Sequence, residues 1–169
     1  MEIGEQRMKS RIVNFEFRIS NLEFLLAFFA VGLLLLAACA PSSTEIKPPE
    51  IAYGRDMCDA CGMLIGEERF AAATVMTDGK TLKFDDAGEM LMYHAKNPQL
   101  QVRAWFVHDY NTKAWVRGES AFYVMSRDKI KSPMGMGVAE FAERAAADAF
   151  AQSIGAMTVT FEQARASIK

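Results

Sequence analysis

The residues from Met57 to Met63 carry the side chains best suited to chemistry, two thiols and two thioethers in the order Met-Cys-Asp-Ala-Cys-Gly-Met. Thiolate and thioether are soft ligands that select Cu(I), whereas a structural zinc site takes four thiolates or thiolates with imidazoles. Gly62 can adopt backbone angles closed to other residues, which would let the chain fold Met63 back toward a metal held by Cys61. The local chemistry therefore favours monovalent copper, with Cys58 as a further ligand.

Three other interpretations of the Cys58–Cys61 pair stay open on these residues alone. The Cys-x-x-Cys spacing is shared by thiol-disulfide oxidoreductases, by half of a zinc site and by an inert disulfide. Redox motifs of this kind normally follow a strand and open a helix, but this pair precedes a predicted hairpin. A second pair of zinc ligands is absent from the sequence, so the oxidoreductase is the main alternative to copper binding.

The N-terminal residues 1–38 predict a lipoprotein signal peptide. Basic residues precede an apolar run from Phe24 to Ala38 of about 15 residues, which is too short to cross a bilayer and suits a secretory signal. The run ends in Leu36-Ala37-Ala38-Cys39, which is typical of a bacterial lipobox. Translation from Met8 would leave the basic region net positive. We therefore expect Cys39 to be lipidated and to become the first mature residue.

Residues 39–52 are predicted to be a tether, because they are rich in Pro and Ser and poor in large apolar side chains. An acylated Cys39 holds a protein stably at a membrane when it carries more than one chain. Ala40, rather than Asp, after the lipidated residue predicts an outer-membrane lipoprotein facing the periplasm. The remaining chain has 15 Lys and Arg (19 minus 4) against 17 Asp and Glu (21 minus 4), so it lacks the basic stripe of a nucleic-acid-binding protein.

Residues 53–99 predict a first ββα module. Side chains alternate with a period of two from Phe70 to Met76 and resume through Phe84, and Asp78-Gly79 between them supplies the residues of a tight two-residue hairpin turn. The fold class expected from this pattern is α+β.

A helix follows the predicted hairpin. Asp86, with Glu89 three positions later, predicts a capping box at its start. Asn97-Pro98 closes it, because proline cannot continue a helix. We therefore expect the helix to complete the first module.

Residues 100–169 repeat the pattern loosely and predict a second ββα module. Strands are expected at 102–108, 114–116, 121–125 and 157–161, the last followed by a short polar tail. A helical stripe is expected at Val138, Phe141, Ala142, Ala145 and Ala149. The sequence similarity between residues 73–76 and residues 122–125 predicts an internal duplication of two small modules.

A second group of soft ligands is predicted in the segment from Ser132 to Gly137, which we expect to lie between the last strand of the second module and its helix. Met134 and Met136 alternate with glycines there, and a glycine-rich loop buries little, so packing does not easily explain them. Both methionines are therefore candidate ligands. The methionines inside predicted strands and helices are expected to be core residues: Met76, Met90, Met92, Met125 and Met157.

The sequence contains two histidines. His108 lies at a predicted strand end beside Asp109, an acid suited to orient the ring, so it is a further candidate ligand, although the residues favour a structural role. His94 falls near the end of the first predicted helix, where an imidazole can complement the helix dipole.

Taken in order, four segments of the chain resemble the NosL family. They are the lipobox at Cys39, the segment Cys58 to Met63, the segment Trp105-Phe106-Val107-His108-Asp109-Tyr110, and Pro133-Met134-Gly135-Met136-Gly137 before an Ala-rich stretch. The resemblance covers nearly all of the mature chain. NosL-like proteins are membrane-anchored, copper-binding lipoproteins found with the maturation machinery of nitrous-oxide reductase.

The resemblance implies a binding and delivery protein, not an enzyme. It implies transfer of Cu(I) to the copper centres of nitrous-oxide reductase, in particular the tetranuclear one, alongside a periplasmic protein and an ABC-type transporter. Cys61 and Met63 match the Cys-Gly-Met core of the family motif and are the implied principal ligands, followed by Met134 or Met136. It also implies two ββα-type modules with a likeness to organomercurial lyase.

Overall fold

The computed structural model describes residues 45–168, and from Ile46 onward they form one compact unit. The predicted signal peptide, the lipobox Cys39 and the beginning of the tether lie outside the described residues. Within residues 45–168, no helix combines the length and the apolar character needed to span a bilayer.

Strands and helices follow one another along residues 72–167 in an α+β arrangement. The elements are β1 (Ala72–Met76), β2 (Thr81–Phe84), α1 (Ala87–Lys96), β3 (Val102–His108), β4 (Trp115–Arg117), β5 (Phe122–Met125), β6 (Val138–Phe141), α2 (Arg144–Ile154), β7 (Thr158–Thr160) and α3 (Phe161–Ser167).

The strands form two small antiparallel sheets, in the orders β2-β1-β3-β4 and β6-β5-β7. Each sheet contains a ββαβ unit whose first strand lies between the other two. The division predicted between residues 99 and 100 does not coincide with the sheets, because β3 pairs with β1, with Ala72 opposite Val107. The internal duplication and the likeness to organomercurial lyase stay predictions.

The hairpin between β1 and β2 forms where the sequence predicted it, but its loop has three residues instead of two. Val75 pairs with Thr81, the Met76 N–H donates to the Lys80 carbonyl at 2.8 Å, and the Gly79 N–H donates to the Met76 carbonyl at 3.0 Å. Gly79 has φ 89°, the left-handed conformation that a three-residue loop requires at this position.

The C-terminal half departs from the sequence prediction in two elements. Val138 and Phe141 belong to strand β6 and not to a helix, because the segment pairs with β5 and is buried on both faces, so the apparent helical stripe spans a strand and the start of α2. The predicted polar tail is helix α3. It begins with a capping box between Thr160 and Gln163, and it buries Phe161.

One core cluster joins α1 and α3 to side chains from both sheets, including Phe84, Val107, Tyr123 and Val138. A second cluster packs α2 against the three-stranded sheet. Met76 and Met90 are core residues as predicted, and Met125 is half-buried. Met157 is 79% exposed, so its assignment to the core was wrong, because it precedes β7 and does not lie inside the strand.

Glu140, in the middle of β6, is fully buried, and among the described residues neither of its carboxyl oxygens has a hydrogen-bond partner. Burial, and secondarily the nearby Asp86 charge, raise the pKa of Glu140 well above its usual value. The folded protein therefore holds this carboxyl group protonated at pH values where the unfolded chain ionises it.

Replacing Glu140 with glutamine is expected to remove this pH dependence. The stability that the neutral acid supports is complete below the unfolded pKa of about 4.3 and is lost as the pH rises toward the folded pKa. The unfolding free energy of Glu140→Gln relative to wild type should therefore increase by up to about 1.4 kcal/mol per pH unit in that window. Urea unfolding at pH 5, 6.5 and 8 measures this slope. Glu143→Gln, at an exposed position, is the matched control, and equal slopes for both variants would contradict the prediction.

Candidate metal centre

The segment 57–63 forms a tight loop that is fixed to the end of β2. The Gly62 N–H donates to the Cys58 carbonyl at 2.9 Å, and the Cys58 N–H donates to the Met63 carbonyl at 2.8 Å. Gly62 has φ 72°, a left-handed conformation that favours glycine, as the sequence predicted for this turn. Asp59 anchors the loop, since its side chain accepts from the Lys83 N–H at 2.7 Å and its N–H donates to the Lys83 carbonyl at 2.8 Å.

This anchoring places both thiols beside two carboxylates at the junction of β2 and α1. One ligand atom from each of Cys58, Cys61, Asp85 and Glu89 lies within 4.8 Å of the others. The Cys58 thiol donates to Glu89 Oε2 at 3.2 Å, and the Cys61 thiol lies 3.8 Å from Asp85 Oδ1. Cys58 and Asp85 are buried, whereas Cys61 and Glu89 are half-buried, so one side of the cluster is open to solvent.

Without a metal ion, the surroundings of the cluster favour the protonated forms of Cys58 and Glu89. Burial raises the pKa of the Cys58 thiol, although the backbone N–H groups of Cys61, Asp85 and Ala60 oppose that rise by favouring the thiolate. Burial also raises the pKa of Glu89, and the Asp85 charge adds to the rise. A soft cation would displace the thiol proton and supply the charge that this site lacks.

Asp86 holds residues 132–137, the methionine loop, against the N-terminus of α1. Its carboxylate accepts from the Ser132 hydroxyl at 2.6 Å and from the Met134 N–H at 3.1 Å, while its other oxygen caps α1 by accepting from the Gly88 N–H at 2.8 Å. This loop joins β5 to β6 and not, as predicted, a strand to the following helix. The methionine loop is in close contact with α1, since a Cβ atom added to Gly88 would lie 2.4 Å from Met136 Cβ.

A cavity of about 260 Å³ lies where α1 meets the methionine loop and the loop of residues 57–63, the cysteine loop. It is lined by Ala60, Glu89, Met92, Tyr93, Lys96, Met134 and Met136. Ala60 lies between the two cysteines in the sequence, and Glu89 also belongs to the cluster of two thiols and two carboxylates. The structure therefore brings the Cys58–Cys61 pair and the Met134–Met136 pair to one place, a proximity that the sequence did not determine. Met92, predicted to fill the core, is half-buried, and it both packs against the core and lines this cavity.

Neither Met63 nor His108 lines this cavity, and His108 is not among the four clustered groups. Met63 is 47% exposed. The buried His108 ring donates from Nδ1 to the Ala71 carbonyl at 2.8 Å, and its Nε2 then accepts from the Tyr53 hydroxyl at 3.2 Å. Asp109 does not orient this ring as expected, because its carboxylate accepts from Thr112 at 2.8 Å and from Ala142 at 2.8 Å.

His94 is not a charged partner of the helix dipole. Its ring is buried 4.7 Å from the Trp105 ring, and Nε2 lies 3.1 Å from the Thr74 hydroxyl. Burial lowers its pKa to about 4, so the imidazole is neutral at pH 7 and acts as a core residue.

Asp85 and Glu89 were missed as site residues by the sequence reasoning. The Asp86–Glu89 spacing predicted a capping box, but only Asp86 caps the helix, and Glu89 accepts from the Cys58 thiol instead. No local spacing rule points to them, since Asp85 precedes the N-cap Asp86 and Glu89 is the third residue of α1.

The surroundings of the thiol pair differ from those of a redox motif. Cys58 and Cys61 precede β1 in a loop and do not open a helix. An oxidoreductase needs a thiolate of lowered pKa, but burial raises the pKa of Cys58. These features favour a binding site over thiol-disulfide exchange.

Comparison with known proteins identifies one matching family model and a solved structure with a similar fold. The family model described as NosL matches residues 51–168. The crystal structure of the copper chaperone NosL from Shewanella denitrificans has a similar fold, with a TM-score of 0.55 and 22% identity over 68% of this chain and 96% of that chain. No curated protein matches the sequence.

Proposed function

Because the chain belongs to the NosL family, we propose that it is a membrane-anchored metallochaperone, which binds Cu(I) and delivers it for assembly of the copper centres of nitrous-oxide reductase. The observation that carries this proposal is the convergence of two thiols and the loop methionines on Glu89 at the start of α1. Copper is the cargo of the protein and not a catalyst, so no reaction is assigned to the site.

The donor atoms fit Cu(I). Cys58 and Cys61 supply thiolates, and Met134 or Met136 supplies a thioether from the adjoining cavity, which together form the soft ligand set that Cu(I) prefers. Met63 lies on the solvent side, where the ligands of a partner would first meet the ion. His108 is left out of this set, since hydrogen bonds engage both of its ring nitrogens.

Release follows from the position of the ligands. Cys61 is half-buried on the open side of the cluster, and Met134 lies next to Gly135, which has φ 66°. An acceptor protein can therefore replace the ligands one at a time from the open side, so the ion is never free in solution.

Copper binding is tested by anaerobic titration of the reduced protein with Cu(I) against a competing chelator. The wild type is expected to bind about one ion per chain, and Met134→Leu is expected to weaken binding about tenfold, because leucine keeps the volume but removes the sulfur. Met157→Leu is the matched control, since Met157 is 79% exposed and far from the site in the sequence. Equal affinities for both variants would remove Met134 from the ligand set.

Delivery and anchoring are tested in cells that make nitrous-oxide reductase. Replacing Cys39 with alanine removes the predicted acylation site, so the protein should leave the membrane fraction, and the copper content of the reductase should fall because the carrier is no longer concentrated at the membrane. Copper in the purified reductase is measured by mass spectrometry. A Cys39→Ala strain with an unchanged protein distribution would contradict the anchor, whereas full copper content in a strain lacking the protein would contradict delivery.

A further inference from the structure

A second cavity, of about 650 Å³, shares no lining residue with the cavity at the candidate metal centre. Its lining includes six charged side chains, the cations Arg69, Lys113, Lys129 and Lys131 and the carboxylates Glu67 and Glu68. Four positive and two negative charges give this lining a formal net charge of +2, whereas the whole chain carries −2. The cavity is therefore a basic concavity on an acidic protein.

The loop from β5 to β6 contributes two of these cations, Lys129 and Lys131, on either side of Ile130. Ile130 is 2% exposed in the core cluster beneath α2, and its N–H donates to the Ser126 carbonyl at 2.9 Å. Both lysines are exposed, and within residues 45–168 no carboxylate lies within ion-pair distance of either. The buried isoleucine thus anchors two uncompensated positive charges at the cavity.

Two other segments contribute Lys113 and Arg69. Lys113 lies in the turn after β3, where its N–H donates to the Asp109 carbonyl at 2.8 Å and its φ of 60° is uncommon for a lysine. Its ammonium group lies 3.5 Å from the Glu68 carboxylate, but both side chains are more than 40% exposed, so the pair is weak. The Arg69 guanidinium lies 4.6 Å from the centre of the Tyr110 ring. Lys113 is therefore open to a competing carboxylate.

We propose that this cavity docks an acidic segment of a partner protein, one that carries several Asp or Glu side chains. Its volume lies in the range of about 300 to 1,000 Å³ that is common for binding sites, so it accommodates several side chains at once. Lysines place compact charges on flexible stems, which suits carboxylates at several positions. Charge complementarity of this kind steers association and weakens as salt is added. The inference goes beyond the proposed copper function and does not rest on it.

Other anionic occupants fit the cavity less well. A membrane surface is flat, so cations that line a concavity do not all reach it. An inorganic anion is much smaller than the cavity and is typically held by backbone N–H groups or by the planar fork of arginine, whereas three of the four cations here are lysines. A nucleic acid requires a longer basic stripe than one cavity provides.

The walls of this cavity continue along the chain into both loops of the candidate metal centre. Residues 66–70 follow the cysteine loop closely, and Lys131 directly precedes the methionine loop. An acidic segment docked in the cavity therefore touches the same two chain segments that carry the candidate ligands. This position suits a contact that holds a partner beside the metal centre.

The test uses a short, fluorescently labelled peptide of alternating Glu and Ser, with a peptide of alternating Gln and Ser as its uncharged counterpart. The full chain with Cys39→Ser, kept reduced in a neutral detergent, is titrated into each peptide, and fluorescence anisotropy reports binding. We expect the Glu peptide to bind and the Gln peptide not to bind. Raising NaCl from about 20 to 200 mM should weaken binding of the Glu peptide about tenfold, because salt screens exposed charges.

Variants at the lysines test the cavity itself. Lys129→Gln combined with Lys131→Gln removes two charges from the lining and should weaken binding of the Glu peptide about tenfold. The matched control combines Lys80→Gln with Arg103→Gln, which removes two exposed charges outside the cavity and should change the affinity less than about twofold. Circular dichroism checks the fold of both proteins. Their Cu(I) affinities should equal that of the wild type, since none of these four residues belongs to the metal centre.

The outcomes separate this inference from the proposed function. An equal loss of peptide affinity in the two double variants would overturn the inference, because net charge alone would then explain binding. Displacement of the peptide by inorganic phosphate, or by glycerol phosphate as a lipid headgroup, at concentrations similar to that of the peptide would also overturn it. A wild type that binds the peptide but not Cu(I) would contradict only the copper proposal, and one that binds Cu(I) but not the peptide would contradict only this inference.

Discussion

Replacing Cys61 with serine is expected to lower the affinity for Cu(I) by about 100-fold, which corresponds to about 2.7 kcal/mol. Serine supplies a protonated hydroxyl, a hard ligand that does not replace a thiolate on Cu(I). The remaining Cys58 does not compensate, because burial raises the pKa of its thiol and the metal must displace that proton. The measurement is a competition titration with a Cu(I) chelator under anaerobic, reducing conditions.

Cys39→Ser is the matched control for this prediction, since it makes the same substitution at the cysteine outside the described residues. Its affinity should equal that of the wild type, whereas Cys58→Ser should resemble Cys61→Ser. Wild-type affinity in Cys61→Ser, together with ready cycling of the thiol pair in the wild type at a thioredoxin-like potential, would instead identify the Cys58–Cys61 pair as a redox site.

Replacing Asp86 with alanine is expected to destabilise the protein by about 2 to 4 kcal/mol and to weaken Cu(I) binding about tenfold. The substitution removes the N-cap of α1 and leaves the Ser132 hydroxyl and the Met134 N–H without the acceptor that holds the methionine loop. The loop then loses its fixed position beside the thiols. Part of the cost is offset, because the Asp86 charge that opposes ionisation of Glu140 is also lost.

Urea unfolding and the Cu(I) titration measure the two effects separately. Asp86→Asn is the graded control, since asparagine can still cap the helix but cannot accept the same two hydrogen bonds from the loop. It should retain most of the stability and lose affinity nearly as much as Asp86→Ala. Reduced stability with unchanged affinity in Asp86→Ala would show that the methionine loop contributes no ligand.

Local patterns were sufficient to predict the first half of the fold. The alternation around Asp78-Gly79 predicted the hairpin, and Asp86 with Asn97 predicted both ends of α1, because turns and caps depend on a few adjacent side chains. Prediction of the second half failed where contacts between segments distant in the sequence decide the secondary structure. A run such as Val138 to Phe141 fits a helical face or a buried strand, and only its pairing with β5 makes it a strand.

The candidate site divides in the same way between sequence and tertiary structure. The sequence by itself determined the soft donors, since Cys58, Cys61, Met134 and Met136 reveal their chemistry by residue type and spacing. Their proximity was decided only by tertiary structure, because it depends on hydrogen bonds from two distant loops to Asp86 and to the end of β2.

Tertiary structure also decided which acids join the thiols and where the histidines lie. Asp85 and Glu89 join the thiols through the docking of the cysteine loop, whereas both ring nitrogens of His108 are engaged by the Ala71 carbonyl and the Tyr53 hydroxyl. The physical reason is that ligand types are properties of single residues, but the distances between them are set by long-range contacts that no local pattern encodes.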